Sequence, residues 1–244
     1  MSRSVALKTA VILSLAGLTV FGCYANVGGT TATTSTTASS AQADQDGSRS
    51  LFDGKTTAGW RNYKKEGIGP GWQVIDGNLT RVGENAGDII TTDKYRNFDF
   101  TIDWRVAEGG NSGIFYRATE DNDYIWQSAP EMQVLDDAKH ADGKDPMTSA
   151  GSNFALYPAP RGIVRPAGQW NTARLVVNGN HVEHWLNGTK LFEYDLGSDE
   201  WKARGGASKF KAMPNYGQAA EGHIGLQDHG DKVEFRNIRI KVLP

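Results

Sequence analysis

The sequence is poor in several features that would classify a protein quickly, and each shortage excludes something. It contains one cysteine in 244 residues, so no disulfide can form within the chain. Its 26 lysines and arginines are balanced by 28 aspartates and glutamates, and no basic cluster stands out. Nucleic acid is therefore not a predicted partner, because proteins that bind it normally present a positively charged surface. No stretch shows a convincing long helical period, which favours an all-β fold.

The first 23 residues have the layout of a secretory signal of the lipoprotein type. Arg3 and Lys8 precede an apolar run that stops at small residues and a cysteine, and Val20-Phe21-Gly22-Cys23 resembles a bacterial lipobox. We expect Cys23 to be lipidated after cleavage, which predicts an exported lipoprotein anchored in the bacterial cell envelope. An ordinary signal peptide that happens to contain a cysteine is the alternative. The apolar run is short for a retained membrane helix.

The rest of the chain divides by composition into a tether and a body. Residues 24–49 are mostly Ser, Thr, Ala and Gly and have almost nothing to bury, so we predict a flexible tether. Residues 50–244 are long enough for a single all-β domain. Within them, 197–220 is expected to be a loop with one short helical turn.

Alternation and turn dipeptides predict the strands of the body. Residues 97–107 place Phe, Phe, Ile, Trp and Val at every second position, which is typical of a strand with one buried face. Asp76-Gly77 separates two β-prone runs and predicts a hairpin, since glycine readily adopts a positive φ. Asn178-Gly179 and Asn187-Gly188 join three further runs into a meander. We therefore predict a two-sheet antiparallel sandwich.

Polar residues interrupt the apolar pattern in three of the predicted strands. In residues 222–230, Ile224 and Leu226 alternate with polar residues, and in 130–140 Met132 and Val134 do the same. A glycine-rich turn at 109–110 leads into a third such strand. We expect Glu131, Gln133, Gln227 and His229 to share one exposed face, with Arg117 and His140 at its edge. This mixture of carboxylate, imidazole, guanidinium and amide groups suits sugar hydroxyls and proton transfer.

Five motifs together resemble the bacterial 3-keto-disaccharide hydrolase family. They span most of the body in the order LFDGKTTAGW, GNSGIFYRA, PEMQVLDD, WNTARLVVNGNHVEHWLNG and GHIGLQDHGDKVEFRNIRIK. The resemblance implies a concanavalin-like lectin and glucanase jelly roll, whose concave sheet holds the sugar. It also implies an enzyme of carbohydrate catabolism that cleaves 3-keto-glycosides.

The chemistry that the resemblance implies follows from the substrate. A ketone at the third sugar carbon acidifies the hydrogen on the second, and the glycosidic oxygen is then β to the carbonyl. Elimination of the aglycone followed by hydration needs a base, a donor or cation for the enolate, and an acid for the leaving group. We expect Glu131 or His229 to be the base, Arg117 or a divalent cation to stabilise the enolate, and His140 to be the acid.

Substrate binding is expected from a further set of side chains: Asn111, Arg117, Trp126, Gln133 and Gln227. Of these, Trp126 is the candidate for stacking on a pyranose face. A Glu and two His could also ligate a divalent metal ion, but their spacing matches no known metal signature. A non-catalytic carbohydrate-binding lectin and an envelope scaffold are the alternative functions. Trp104 and His184 fall among core positions and are expected to be structural.

Overall fold

The computed structural model describes residues 47–244. The predicted signal peptide and the lipidation of Cys23 lie outside these residues. One boundary needs correction: Arg49, which we placed in the tether, begins the first strand and pairs with Ile240, and its guanidinium donates to Asp93 at 2.9 Å. Within the described part, no helix is long and apolar enough to cross a membrane.

The described residues form thirteen β-strands, one α-helix and three short 3-10 helices. The strands are β1 Arg49–Ser50, β2 Trp60–Asn62, β3 Trp72–Ile75, β4 Asn78–Arg81, β5 Ile89–Thr91, β6 Phe98–Val106, β7 Asn111–Ala118, β8 Glu131–Leu135, β9 Asn171–Asn178, β10 His181–Leu186, β11 Thr189–Asp195, β12 His223–Leu226 and β13 Val233–Val242. The α-helix, α1, spans Asp199–Ala207, and the 3-10 helices span Ile125–Gln127, Ala141–Lys144 and Lys209–Ala212.

The strands form two antiparallel sheets, which confirms the predicted sandwich. The larger sheet has the order β11-β10-β9-β6-β13-β4-β3, with β1 added beside β13. The smaller sheet has the order β2-β5-β12-β7-β8. Hairpins of consecutive strands alternate with neighbours that are distant in sequence, such as β6 and β13 or β5 and β12, as expected for a jelly roll.

The local predictions hold where they rest on alternation or on turn chemistry. Every second residue of β6 is buried, from Phe98 to Val106. Asp76 and Gly77 have φ values of 50° and 76°, so the β3–β4 hairpin uses the left-handed turn that this dipeptide favours. The meander of β9, β10 and β11 is also present.

The core between the sheets contains the residues that we expected there. Trp104 is buried among the apolar side chains of both sheets. His184 is fully buried and contacts Gly151 O at 3.2 Å and the Tyr116 hydroxyl at 3.4 Å. Burial lowers the pKa of His184 to about 3, so the ring is neutral and structural.

The segment 197–220 is more ordered than the predicted loop. Ser198 caps α1 by accepting a hydrogen bond from Trp201 N at 3.1 Å. Trp201 is buried and stacks between Tyr194 and Tyr216, with ring centroids 5.2 and 5.8 Å away. Because a single aromatic residue anchors the helix, the sequence lacks the apolar periodicity from which a helix could be predicted.

Candidate active site

A glycine in the smaller sheet forms the floor of the candidate site. Gly113 of β7 is paired with Gln133 of β8, and its carbonyl oxygen accepts a hydrogen bond from Gln227 N at 3.0 Å. Its neighbour Ile114 packs in the core, so position 113 faces the opposite side of the sheet. The Glu131 carboxyl group lies over this glycine, so close that a Cβ at position 113 would overlap it. The missing side chain therefore makes room for a carboxyl group between two glutamines.

A cavity of about 180 Å³ opens on this face of the smaller sheet. It is lined by six of the eight residues assigned from the sequence to catalysis or substrate binding: Asn111, Trp126, Glu131, Gln133, Gln227 and His229. Three further residues complete the lining: Asp142, Phe154 and Lys209. The roles of the six stay predictions, but the structure brings them to one place.

Three amide oxygens in the cavity wall, that of Asn111 and those of two glutamines, have no partner among the described residues. Gln133 Nε2 donates to Thr148 O at 3.2 Å, which turns its buried Oε1 away from that contact. Gln227 Oε1 is likewise buried without a hydrogen bond. Buried acceptors of this kind are normally satisfied, so these three are suited to hydroxyl donors that enter with a ligand.

Glu131 and Lys209 form an interacting acid and base in the cavity. Burial raises the pKa of Glu131 to about 8, and the nearby charge of Lys209 opposes that rise. Lys209 is partly exposed, and desolvation of the part that lies in the cavity lowers its pKa, against the attraction of the Glu131 carboxylate. Their proton affinities are therefore closer than those of an exposed glutamate and lysine. A carboxylate so perturbed is a strong base near neutral pH.

Lys209 is the functional candidate that sequence analysis missed. It begins the 3-10 helix after α1, and its Nζ lies 4.1 Å from the ring centroid of Phe154 and 5.6 Å from that of Trp126. These aromatic faces fix the ammonium group in the cavity wall. No local pattern marks Lys209, because its placement depends on how the segment 197–220 folds back over the sheet.

The two histidines of the predicted site differ in their access to the cavity. His229 lines it and is half-exposed, although β12 ends at Leu226 and His229 therefore lies beyond the strand that we predicted for it. His140 does not line it. Its Nδ1 accepts from Asp142 N at 3.1 Å and so caps the 3-10 helix Ala141–Lys144. Its Nε2 lies 3.5 Å from the Asn111 amide, so His140 reaches the cavity through Asn111.

The expectation that Arg117 binds substrate is wrong. Between Phe115 and Ala118, β7 has one more residue than the β12 segment that it faces, and Arg117 has a positive φ of 53°. Because of this bulge, Ala118 lies on the sheet face where simple alternation would place Arg117. The buried guanidinium donates to Arg96 O at 3.2 Å and to Gly179 O, next to the larger sheet. Arg117 therefore joins the sheets and does not face the cavity.

Two places offer ligands that could hold a cation. In the cavity, Glu131, Gln133 and His229 present oxygen and nitrogen atoms that suit a divalent ion, as they suit a sugar. On the larger sheet, ligand atoms of His181, Glu183 and Glu193 lie within 4.8 Å of one another. There the Lys190 ammonium is 2.5 Å from Glu193 Oε2 and 3.5 Å from Glu183 Oε1, so the carboxylates are already neutralised.

The fold and the cavity define a class: a jelly-roll protein with a small, polar, acid-containing pocket on one sheet, typical of proteins that act on carbohydrates. Comparison with known proteins then gives the family. Residues 47–241 match the model of the 3-keto-alpha-glucoside-1,2-lyase-like domain, and the chain belongs to this family.

Similar proteins agree with this membership. A 3-keto-disaccharide hydrolase of Bacteroides thetaiotaomicron is 40% identical over 231 residues, covering 82% of this chain and 80% of that protein. A Parabacteroides distasonis structure provisionally assigned as a glycosyl hydrolase is 37% identical, with a TM-score of 0.76 over 82% of this chain and 95% of its own. A second structure from that organism, with the same provisional assignment, is 29% identical, with a TM-score of 0.61 over 75% and 99%. The chain is a glycoside-cleaving enzyme, a hydrolase.

Proposed function

We propose that the enzyme cleaves 3-keto-glycosides, including 3-keto-disaccharides, by eliminating the aglycone and then hydrating the product. The observation that carries the proposal is the buried Glu131 beside Lys209, in a cavity whose wall also presents unpaired amide acceptors. An ordinary glycosidase needs two carboxylates on either side of the scissile bond. Here Asp142 is a second carboxylate in the cavity lining, but Glu131 is also matched with the Lys209 ammonium. A base beside a cation suits a reaction that begins by removing a proton next to a ketone.

The proposed reaction balances as a hydrolysis in two stages. The Glu131 carboxylate takes the hydrogen on the second sugar carbon, and the electron pair of that bond forms the enolate of the ketone. The enolate then collapses, the bond between the first carbon and the glycosidic oxygen breaks, and the leaving oxygen takes a proton. Water adds across the resulting enone, which gives the free keto-sugar and the free aglycone.

Lys209 takes the role that the sequence suggested for Arg117. Its ammonium group lines the same cavity as Glu131 and can hold the negative charge that develops on the enolate oxygen. Gln133 and Gln227 accept hydrogen bonds from sugar hydroxyls through their unpaired oxygens. His229, half-exposed at the cavity, is placed to protonate the leaving oxygen or to activate the water.

The test compares two variants in the cavity lining with two outside it on a 3-keto-disaccharide, followed by mass spectrometry. Glu131→Gln and Lys209→Met should each lower kcat/KM by about 10²-fold or more, because each removes charge from the reacting centre. Exposed Glu221→Gln and Lys211→Met are the matched controls and should retain activity. Wild-type turnover by a normally folded Glu131→Gln protein would refute the proposal, and sugar binding without turnover by the wild type would favour a lectin.

Treatment with a chelator distinguishes the two candidates for enolate stabilisation, Lys209 and a divalent cation. If Lys209 supplies the charge, prolonged treatment with a chelator should leave kcat/KM unchanged. Loss of activity on chelation, with recovery on adding a divalent ion, would assign the role to a cation held by the cavity oxygens and not to Lys209.

We also propose that the enzyme works in the bacterial cell envelope as a lipid-anchored protein. The support comes from the sequence before the described residues, where charged residues, an apolar run and Cys23 follow one another as in a lipoprotein signal. An envelope location would place the enzyme where glycosides enter carbohydrate catabolism.

A further inference from the structure

We infer that Tyr124 and Trp126 form a separate subsite, an aromatic shelf that binds the leaving sugar of a disaccharide substrate. The inference rests on the proposed function, which requires the keto-sugar ring to lie where Glu131 and Lys209 can reach it. It adds the place of the second ring, and it makes Tyr124 a residue that selects disaccharides over glycosides with small aglycones.

Tyr124 is an exposed aromatic side chain with no structural explanation. The residue is 59% exposed, and the other large exposed apolar residues in the described ranges are aliphatic: Ile75, Val82 and Val242. Its ring is stacked on that of Trp126, with centroids 5.7 Å apart and planes 17° from parallel. Since Trp126 lines the cavity, the pair extends an aromatic surface from the cavity outward into solvent.

The shelf is held firmly, which a binding surface requires. Tyr124 and Trp126 flank Ile125, which is fully buried on the same face of the smaller sheet. Gly225 of β12 leaves room for the Ile125 side chain, because a Cβ there would overlap it. Gln127 closes the turn: its Oε1 accepts from Tyr124 N at 3.0 Å, and its own N–H donates to Tyr124 O at 3.1 Å. The rings are therefore presented by a rigid turn and not by a mobile loop.

The size of the cavity places the second ring outside it. The cavity measures about 180 Å³, whereas pockets that enclose drug-sized ligands, such as a disaccharide, measure roughly 300–1,000 Å³. One sugar ring fits beside Glu131, and the glycosidic oxygen then points toward the opening. The leaving sugar then emerges beside Trp126, where the stacked Tyr124 ring provides exposed apolar surface.

The chemistry of the shelf suits a sugar. One face of a pyranose carries C–H groups, which pack on an aromatic ring while the hydroxyls at its edge stay in water. The Lys209 ammonium lies 5.6 Å from the Trp126 ring centroid, so the shelf adjoins the proposed enolate site. A sugar on the shelf would therefore hold the scissile bond close to the reacting groups.

The test compares a 3-keto-disaccharide with the methyl 3-keto-glycoside of the same sugar. Tyr124→Ala should lower kcat/KM for the disaccharide roughly three- to tenfold, the scale of one aromatic contact, mainly through KM. Turnover of the methyl glycoside should stay within about twofold, because that substrate does not reach the shelf. Tyr124→Phe should keep wild-type values, since the ring and not the hydroxyl makes the contact. Val82→Ala, which removes an exposed aliphatic group elsewhere, is the control.

Two other outcomes overturn the subsite. Equal losses on both substrates would mean that Tyr124 supports the whole site, and no loss on either would mean that the shelf does not bind. If the wild-type protein cleaves neither substrate, the proposed function fails by itself. Calorimetric binding of the same two ligands to wild type and Tyr124→Ala then decides the subsite without catalysis.

Discussion

A buried base with a raised pKa should lower the free energy of unfolding, and Glu131 allows that effect to be measured. Its pKa is about 8 in the folded protein and 4.5 when unperturbed, with burial as the main cause and Lys209 acting against it. Below pH 4.5 the carboxyl group is protonated in both the folded and the unfolded protein, so it contributes nothing to the pH dependence. As the pH rises toward 8, only the unfolded chain releases its proton, and the unfolded state is favoured.

The size of the effect follows from that difference in pKa. One pKa unit corresponds to about 1.4 kcal/mol, so the free energy of unfolding should fall by up to roughly 5 kcal/mol between pH 4.5 and 8 on account of this residue. Glu131→Gln removes the titration. The variant should therefore gain stability relative to the wild type across this window, although the amide itself adds a constant offset. For a domain of this size the relative gain in Tm is roughly 10 °C or more.

The assay is denaturant unfolding of wild type and Glu131→Gln at pH 4.5, 6, 7 and 9, with the difference in unfolding free energy plotted against pH. A flat difference would refute the reasoning, because an ordinary carboxyl group finishes titrating near pH 5 in both states. Lys209→Met provides a second check. Without the ammonium that lowers the pKa of Glu131, the loss of stability should extend to higher pH.

Two other predictions concern catalysis and location. The kcat/KM of the wild type should rise about tenfold per pH unit up to the pKa of Glu131 near 8. It should fall again at higher pH as Lys209 loses its proton, because burial lowers the pKa of that residue. A profile that is flat from pH 5 to 9 would contradict these roles. Radiolabelled palmitate should be incorporated into the protein in its native host and not into a Cys23→Ala variant, and equal labelling of both would contradict lipidation at Cys23.

Most of the fold could be predicted because its signals are local. The alternation in β6 and the Asp76-Gly77 turn each follow from a few adjacent residues, and the structure confirms both. The same alternation predicted that Glu131 and Gln133 share a face, and both line the cavity. Where pleating decides the direction of a side chain, the sequence is sufficient.

The errors arise where pairing between distant segments decides the geometry. Arg117 was assigned to the wrong face because of a β-bulge. A bulge is defined by the pairing of two strands, and nothing in the sequence of β7 alone predicts it. Lys209 was missed because its segment lacks a period and is held in place by Trp201 stacking on aromatic residues from elsewhere in the chain. In both cases the deciding contacts lie far away in sequence.

The same distinction explains how the site is assembled. The smaller sheet supplies acceptors and a base, Glu131, at positions that the strand pattern fixes, while the cation comes from Lys209 in a segment outside the sheet. Gly113 permits this arrangement of base and cation, because a side chain there would force the Glu131 carboxyl group off the sheet and away from the glutamines. A reaction that needs a base and a cation on one sugar ring thus depends on Glu131 lying against Gly113 and on the segment 197–220 bringing Lys209 to the cavity. Changes at Lys209 should therefore alter catalysis without altering the sandwich, whereas changes at Trp201 should also disturb the core on which it stacks.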